Sequence, residues 1–277
     1  MVLDHLFVGA MAGVVSRTCT APLELYKIQQ QNRFIPYSTP KEVLMKEGIF
    51  GLWKGNFTNC IRIGPQTAIN FTVFHWSRRE LWEKTLENKH LIHMASGGLS
   101  GMISTMCVYP LETVRTRLAL QTNKDHYKNM VDVFRKMRLL DMYGGMQASL
   151  MGFIPYNALS FVFYHYYKDH LNCYVFGGNH GENGEDFIPL IAGGLAGMSA
   201  VSITYPTDLI RRRLQLKGFD SSVPEYNGVV DCVKKIYGAE GIRGLYRGLG
   251  ICYVKIFPSV AIQFYVMEYL KNMLNIP

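Results

Sequence analysis

The sequence writes one short motif three times. Pro22-Leu-Glu-Leu-Tyr-Lys27, Pro110-Leu-Glu-Thr-Val-Arg115 and Pro206-Thr-Asp-Leu-Ile-Arg211 share the order proline, acid two residues on, base five residues on. Pro22 and Pro110 are 88 residues apart, and Pro110 and Pro206 are 96 apart; the polar stretch 177–186, GGNHGENGED, can absorb the difference. A period of this size means a repeat architecture in which each unit needs its neighbours to bury a face. Glycines four apart precede each copy (Gly9/Gly13, Gly97/Gly101, Gly193/Gly197) and let helix backbones approach closely in a bilayer. A further proline closes each unit (Pro65, Pro155, Pro258), with a phenylalanine six residues beyond it (Phe71, Phe161, Phe264).

Pro22, Pro110 and Pro206 lack an N–H and clash with the preceding turn, so they bend the helices that hold them. The acid and base are three apart and share a helix face. A charged pair at the end of an apolar helix is costly unless it is matched. Three such helices around a pseudo-threefold axis let each acid meet the base of the next unit. The expected result is a closed ring of Glu24, Glu112 and Asp208 against Lys27, Arg115 and Arg211. One copy alone would read as a solvated helix end; three in register read as a gate.

Hydropathy supports a membrane setting unevenly. The mean hydropathy is only +0.03, and 48% of residues are apolar. Three windows contain no Asp, Glu, Lys or Arg and approach the ~20 residues that cross a bilayer core: 90–111, 142–167 and 187–207. Weaker windows at 6–22, 63–77 and 256–267 are interrupted or bounded by Arg17, Arg62 and Lys255. A lone base inside a span usually faces a water-filled path, so six spans are expected, three of them lining a cavity. The net charge of +8 fits an anionic partner and a lipid surface. The six cysteines form no C-x-x-C pair and read as small apolar fillers. Acidic and histidine residues (Asp4, His5) precede the first apolar run, and no Arg-rich leader is visible, so any organelle address is expected within the chain. His90 and His93 lie a turn apart with no third ligand nearby, and no metal site or cofactor is expected. No nucleophile–base pair or Walker loop is visible, and enzymatic chemistry is not expected.

The three P-x-[DE]-x-x-[KR] copies resemble the signature of the mitochondrial carrier family, over essentially the whole length. The resemblance implies an all-α membrane protein: six transmembrane helices in three tandem pseudo-threefold repeats, with short matrix-side helices. The repeats fall at 1–88, 89–176 and 187–277 and together make one transmembrane domain. It implies a monomeric, multi-pass protein of the mitochondrial inner membrane or a related organelle membrane, binding no nucleic acid and opening alternately to either side. Gln31 and Gln215, nine residues after their prolines, look like braces beneath the ring; Ala119 stands at the second position. Two repeats carry acid-Gly and aromatic-base-Gly motifs that resemble cardiolipin-binding helix starts: Glu47-Gly48 with Trp53-Lys54-Gly55, and Glu240-Gly241 with Tyr246-Arg247-Gly248. The second reads Asp141-Met142 with Gln147-Ala148-Ser149 and on that register has lost both.

The family's substrate positions, three residues before the closing prolines, hold Arg62, Gly152 (followed by Phe153) and Lys255, with Arg17 as a further basic position on the first helix. Bases bind phosphate, arginine bidentately, and Gly152 is expected to leave room for a flat base against Phe153. The set resembles the nucleotide, coenzyme A and ATP-Mg/phosphate branch, so the expected cargo is a small anion of nucleotide, deoxynucleotide or coenzyme A type. The run Arg211-Arg212-Arg213-Leu214 keeps a triple arginine but lacks the methionines of ADP/ATP carriers. The alternative is a carrier-fold proton or ion leak, or a non-transporting regulatory membrane protein.

The family's outer ring, [FY]-[DE]-x-x-[KR], is altered. The chain reads Phe74-His75-x-x-Arg78, Tyr164-His165-x-x-Lys168 and Met267-Glu268-x-x-Lys271. A neutral histidine accepts one hydrogen bond, whereas a protonated one repels the neighbouring base. A weak, pH-sensitive outer gate with Glu268 as its carboxylate is expected. The transport rate should depend on external pH, and the H75D/H165D protein should show a changed profile; an unchanged one overturns this expectation.

Overall fold

The structure, a computed structural model, describes residues 2–32, 40–82, 89–121, 127–176, 187–219 and 223–274. The 177–186 loop read from the sequence lies outside the described residues. The elements are α1 (Val2–Cys19), α2 (Ala21–Gln31), α3 (Pro40–Glu47), α4 (Asn56–Ser77), α5 (Lys89–Leu120), α6 (Met130–Lys136), α7 (Leu139–Met142), α8 (Met146–Phe176), α9 (Phe187–Gln215), α10 (Val229–Leu245) and α11 (Leu249–Met273). There is no strand among the described residues.

Six long rods form a closed ring. α4 packs on α5, α8 on α9, and α11 returns to α1; α1 also meets α4, α5 meets α8 and α9 meets α11. The closure of α11 on α1 is marked by the Ser16 hydroxyl, which donates to the Ser259 carbonyl at 2.6 Å. The motif prolines fall in two settings. Pro22 falls where the first rod breaks into α1 and α2 around Thr20, while Pro110 and Pro206 sit inside α5 and α9. Pro22 has no N–H to give the Thr18 carbonyl four residues back. The Trp53 indole N–H donates to that carbonyl instead, at 2.8 Å.

The packed core lies at the end of the barrel that carries the acid–base motifs. One cluster gathers Leu25, Ile28, Val114, Val133, Met142 and Leu216, and a second gathers Tyr205, Leu209, Ile236 and Cys252. Elsewhere large apolar side chains face outward, among them Val254, Phe257, Phe264 and Tyr265. That inversion suits a helical barrel whose solvent is hydrocarbon. Hydropathy by itself recovers one such helix among the described residues: α11, with a window of mean hydropathy 1.5. That span contains Lys255, one of the bases that weakened its window in the sequence.

The second repeat has not lost its aromatic-glycine helix start; its register differs from the one expected. α4, α8 and α11 begin directly after Gly55 (φ +73), Gly145 (φ +80) and Gly248 (φ +88). The aromatic two residues earlier is Trp53, Tyr143 or Tyr246, so Tyr143-Gly144-Gly145 is the second copy. Only its base is missing. Counting back, Met137-Arg138 occupies the place of Glu47-Gly48 and Glu240-Gly241. In the other two repeats acid and base pair with each other: Glu47 with Lys54, and Glu240 with Arg247 at 2.9 Å. The second repeat has dropped both partners together, which leaves no unpaired charge. Asp141 and Gln147–Ser149 are therefore not this motif.

These glycines sit against the neighbouring repeat. A Cβ at Gly55 would lie 2.9 Å from the Arg115 carbonyl oxygen, one at Gly145 2.7 Å from that of Arg211, and one at Gly248 3.4 Å from that of Lys27. Left-handed φ and a backbone neighbour both exclude a side chain. Gly145→Ala should cost about 1–3 kcal/mol and lower the unfolding temperature of the detergent-solubilised protein by several degrees. Gly98→Ala, whose Cβ would meet nothing within 4 Å, should leave it nearly unchanged. Equal melting temperatures would contradict this register.

Candidate functional site

The end of the barrel is sealed by charge. Asp208 Oδ2 lies 2.8 Å from Lys27 Nζ, Glu24 Oε1 3.6 Å from Arg115 Nη2, and Glu112 Oε1 against Arg211 Nη2. Each acid thus reaches the base of the adjoining repeat, around a full turn of the barrel. The two glutamates do more. Their other oxygens turn toward the bases of the cavity above: Glu24 Oε2 meets Lys255 Nζ, and Glu112 Oε2 lies 3.4 Å from Arg62 Nη1. Arg212, buried on the axis side of α9, reaches both acids, at 3.7 Å from Glu24 Oε1 and 3.5 Å from Glu112 Oε1. Asp208 lies on a different footing. Gly152 stands where the other repeats carry Arg62 and Lys255, and Asp208 is held by Lys27 and by Gln31 Nε2 at 3.2 Å.

Gln31 also donates to the Tyr205 hydroxyl at 3.0 Å, which in turn donates to the Arg247 carbonyl at 2.8 Å. Tyr109 does likewise to the Gly144 carbonyl at 2.9 Å. Each of these tyrosines lies under a ring base, Lys27 over Tyr205 and Arg211 over Tyr109. Gln215 is placed differently from Gln31. Its Oε1 accepts from the Thr116 hydroxyl at 2.9 Å and from Arg212 at 3.4 Å. Ala119, at the third such position, is buried in the apolar cluster.

Above the ring lies a cavity of about 280 Å³ walled by Arg17, Asn59, Arg62, Lys255, Ser259 and Gln263, with Glu24, Glu112, Arg115 and Arg212 at its floor. A second cavity of about 250 Å³ lies between α8, α9 and α11, lined by Phe153, Tyr156, Val201, Thr204 and Tyr205, and reaching Lys27, Asp208 and Arg211. Among the described residues, seven cations (Arg17, Lys27, Arg62, Arg115, Arg211, Arg212, Lys255) face three carboxylates in this region, an excess of four positive charges.

Gly152 and Phe153 both border the 250 Å³ cavity, but the point directly beside Gly152 is taken: a Cβ there would collide with the Thr207 hydroxyl of α9. Phe153 likewise fills the hollow at Gly101 on α5 with the tip of its ring. The cavity continues one turn further along α8, to Tyr156. The outer residues sit at the far ends of α4, α8 and α11. His75 and His165 are exposed, each packed on the phenylalanine one turn before it, at 4.2 Å from Phe71 and 4.4 Å from Phe161 between ring centres. Glu268 is exposed as well. Sequence reasoning passed over Arg212, Asn59, Tyr156 and the tyrosines that precede two motif prolines. Asn59 had a readable signal in its place one helical turn before Arg62; Arg212 lies outside the fixed proline offsets that pick out Arg211.

The profile described as Mitochondrial carrier protein matches this chain three times, at residues 1–85, 87–175 and 185–276. The chain belongs to the mitochondrial carrier family. It is similar to the mitochondrial adenine nucleotide transporter ADNT1 of Arabidopsis thaliana, 35% identical over 312 residues that cover 99% of this chain and 88% of the relative. It is also similar to the mitochondrial carrier protein CoAc2 of Zea mays, 31% identical over 303 residues, covering 100% and 88%. Mitochondrial substrate carrier family protein A of Dictyostelium discoideum is 33% identical over 279 residues, covering 96% and 83%. The carrier's family consists of solute transporters, not enzymes.

The three acids of the carrier should differ in how much they hold. Glu112→Gln leaves Arg62, Arg211 and Arg212 around a neutral amide, and breaking a buried charge set of this kind costs about 3–5 kcal/mol. Asp208 has a side chain 30% exposed and one ring base, so Asp208→Asn should cost less. Melting of the cargo-free protein in detergent checks the order, and a larger loss at Asp208 would overturn it.

Proposed function

We propose that this carrier exchanges phosphate-bearing nucleotides, or a related nucleotide-like anion such as coenzyme A, across the mitochondrial inner membrane by alternating access. The observation that carries the reading is the excess of four positive charges over three carboxylates around the paired cavities. Such a surplus at membrane depth calls for a polyanionic occupant. The more apolar cavity beside Tyr156 supplies a place for a ring next to the place for phosphates. The similarity to an adenine nucleotide transporter agrees with this pairing.

The wiring supplies a mechanism. In the empty site Arg62 and Lys255 spend their charge on Glu112 and Glu24, the same carboxylates that hold Arg211 and Arg115. Cargo phosphates that take Arg62 and Lys255 leave each glutamate with fewer partners. The ring weakens while the cargo is bound, and the cargo's preference for the opened form drives the change. Asp208 opens with the others through Lys27, which borders the second cavity. Glu24, Lys27, Glu112, Arg115, Asp208 and Arg211 form the inner gate, with Gln31 and Gln215 as its braces. His75, Arg78, His165, Lys168, Glu268 and Lys271 form the outer one. The carrier acts as a monomer, since one barrel encloses the whole site. Cardiolipin phosphates sit at the starts of α4, α8 and α11, where free backbone N–H groups attract anions.

The test is exchange by purified protein in cardiolipin-containing liposomes loaded with ATP. Uptake of ATP, ADP, deoxynucleotides or coenzyme A is expected, with no uptake of adenosine or amino acids. Arg62→Ala and Lys255→Ala should each slow exchange by about a hundredfold, as expected for loss of a buried charge contact. Proton flux with no exchange of any phosphate-bearing solute would overturn the reading in favour of a leak.

A further inference from the structure

Arg17 on α1 and Arg62 on α4 stand together in the wall of the 280 Å³ cavity. Two like charges at membrane depth repel and would ordinarily splay apart. Here both aim at one atom. Asn59 Oδ1 accepts from Arg17 Nη1 at 3.2 Å and from Arg62 Nη2 at 3.4 Å. Asn59 is itself only 2% exposed and lies one turn before Arg62, so the helix backbone fixes its oxygen on the cavity face.

The choice of side chain matters. A carboxylate here would satisfy both guanidiniums and cancel the charge offered to cargo. An apolar residue would remove the shared acceptor and free the two arginines to separate. A carboxamide oxygen, polar but uncharged, holds them together and adds no negative charge of its own to compete with cargo. A second feature points to a missing acceptor: the Nε of Arg62 is buried with no hydrogen-bond partner. Buried donors of that kind call for an occupant.

We infer that Asn59 is a positioning residue that gathers Arg17 and Arg62 into one twin-guanidinium cradle for a single phosphate group of the cargo. Lys255, on α11, takes a different anionic group. The inference rests on the nucleotide reading and adds where one phosphate is held and what holds the holders.

The experiment is ATP exchange kinetics in liposomes for wild type, Asn59→Leu, Asn59→Asp, Arg17→Ala and the Arg17→Ala/Asn59→Leu double variant. Asn59→Leu should raise KM for ATP about tenfold, the scale of one charge-assisted hydrogen-bond pair, with kcat nearly unchanged. Asn59→Asp, which is isosteric and protects against a folding failure, should raise KM further because its carboxylate competes with phosphate. In the Arg17→Ala background Asn59→Leu should add little, since the cradle is already broken. Melting without cargo should stay near wild type for Asn59→Asp. An active wild type whose KM is unchanged by both Asn59 variants, or whose Arg17 and Asn59 penalties simply multiply, overturns the inference alone. A wild type that exchanges no phosphate-bearing solute overturns the nucleotide reading, and the inference falls with it.

Discussion

Everything in this barrel depends on three carboxylates held among cations in a region poor in water. A carboxylate taken from water must recover its lost solvation from neighbours. Glu24 and Glu112 do so by dividing their oxygens. One oxygen of each faces a ring base and Arg212; the other faces a base of the cavity above. The same two residues therefore close the barrel and neutralise the site that must receive cargo. Holding shut and waiting for an anion are one arrangement of charges.

Threefold symmetry makes this arrangement and its breaks make it selective. A symmetric site would place a base above every ring acid and would suit an anion of threefold shape. Gly152 removes the third base, and Thr207 from α9 closes over it. The cavity in that sector runs from Gly152 and Thr207 to Tyr156 and is lined by aromatic and hydroxyl groups. On the proposed reading that sector receives a ring, and the other two supply charge. Matching losses keep the scaffold sound elsewhere: Met137 and Gly144 stand where the other repeats have an ion pair, so neither leaves a lone charge in a buried seam. Arg117 and Arg213 tie the seams by donating to the carbonyls of Gln215 and Gln31, each at 3.2 Å, and Lys54 reaches the Gln121 carbonyl at 3.0 Å.

The ring was legible in the sequence because its parts keep fixed offsets from proline, and a fixed offset on a helix means a fixed face. The partner of each acid followed from closure alone. The helix start of the second repeat was not legible from its charges, since acid and base had vanished together and Asp141 offered a false anchor. Its glycine was the better guide: φ of +80° at Gly145 and a backbone oxygen beside it leave no choice of residue. Gly152 shows the opposite limit. Position in the repeat says which residue faces the axis, but only the packed neighbour says whether the space beside a glycine is empty.

On the mechanism proposed above, the double use of Arg62 and Lys255 also sets what kind of anion can work the gate. A monoanion can relieve one glutamate of its upper partner, but the other glutamate keeps its full set and the ring stays closed over two sectors. Releasing both requires anionic groups at two places at once, on α4 and on α11. A solute that binds without doing so binds both forms of the barrel alike, and such binding shifts no equilibrium however tight it is. The spacing of charge along the cargo, more than its total charge, is then what the carrier reads.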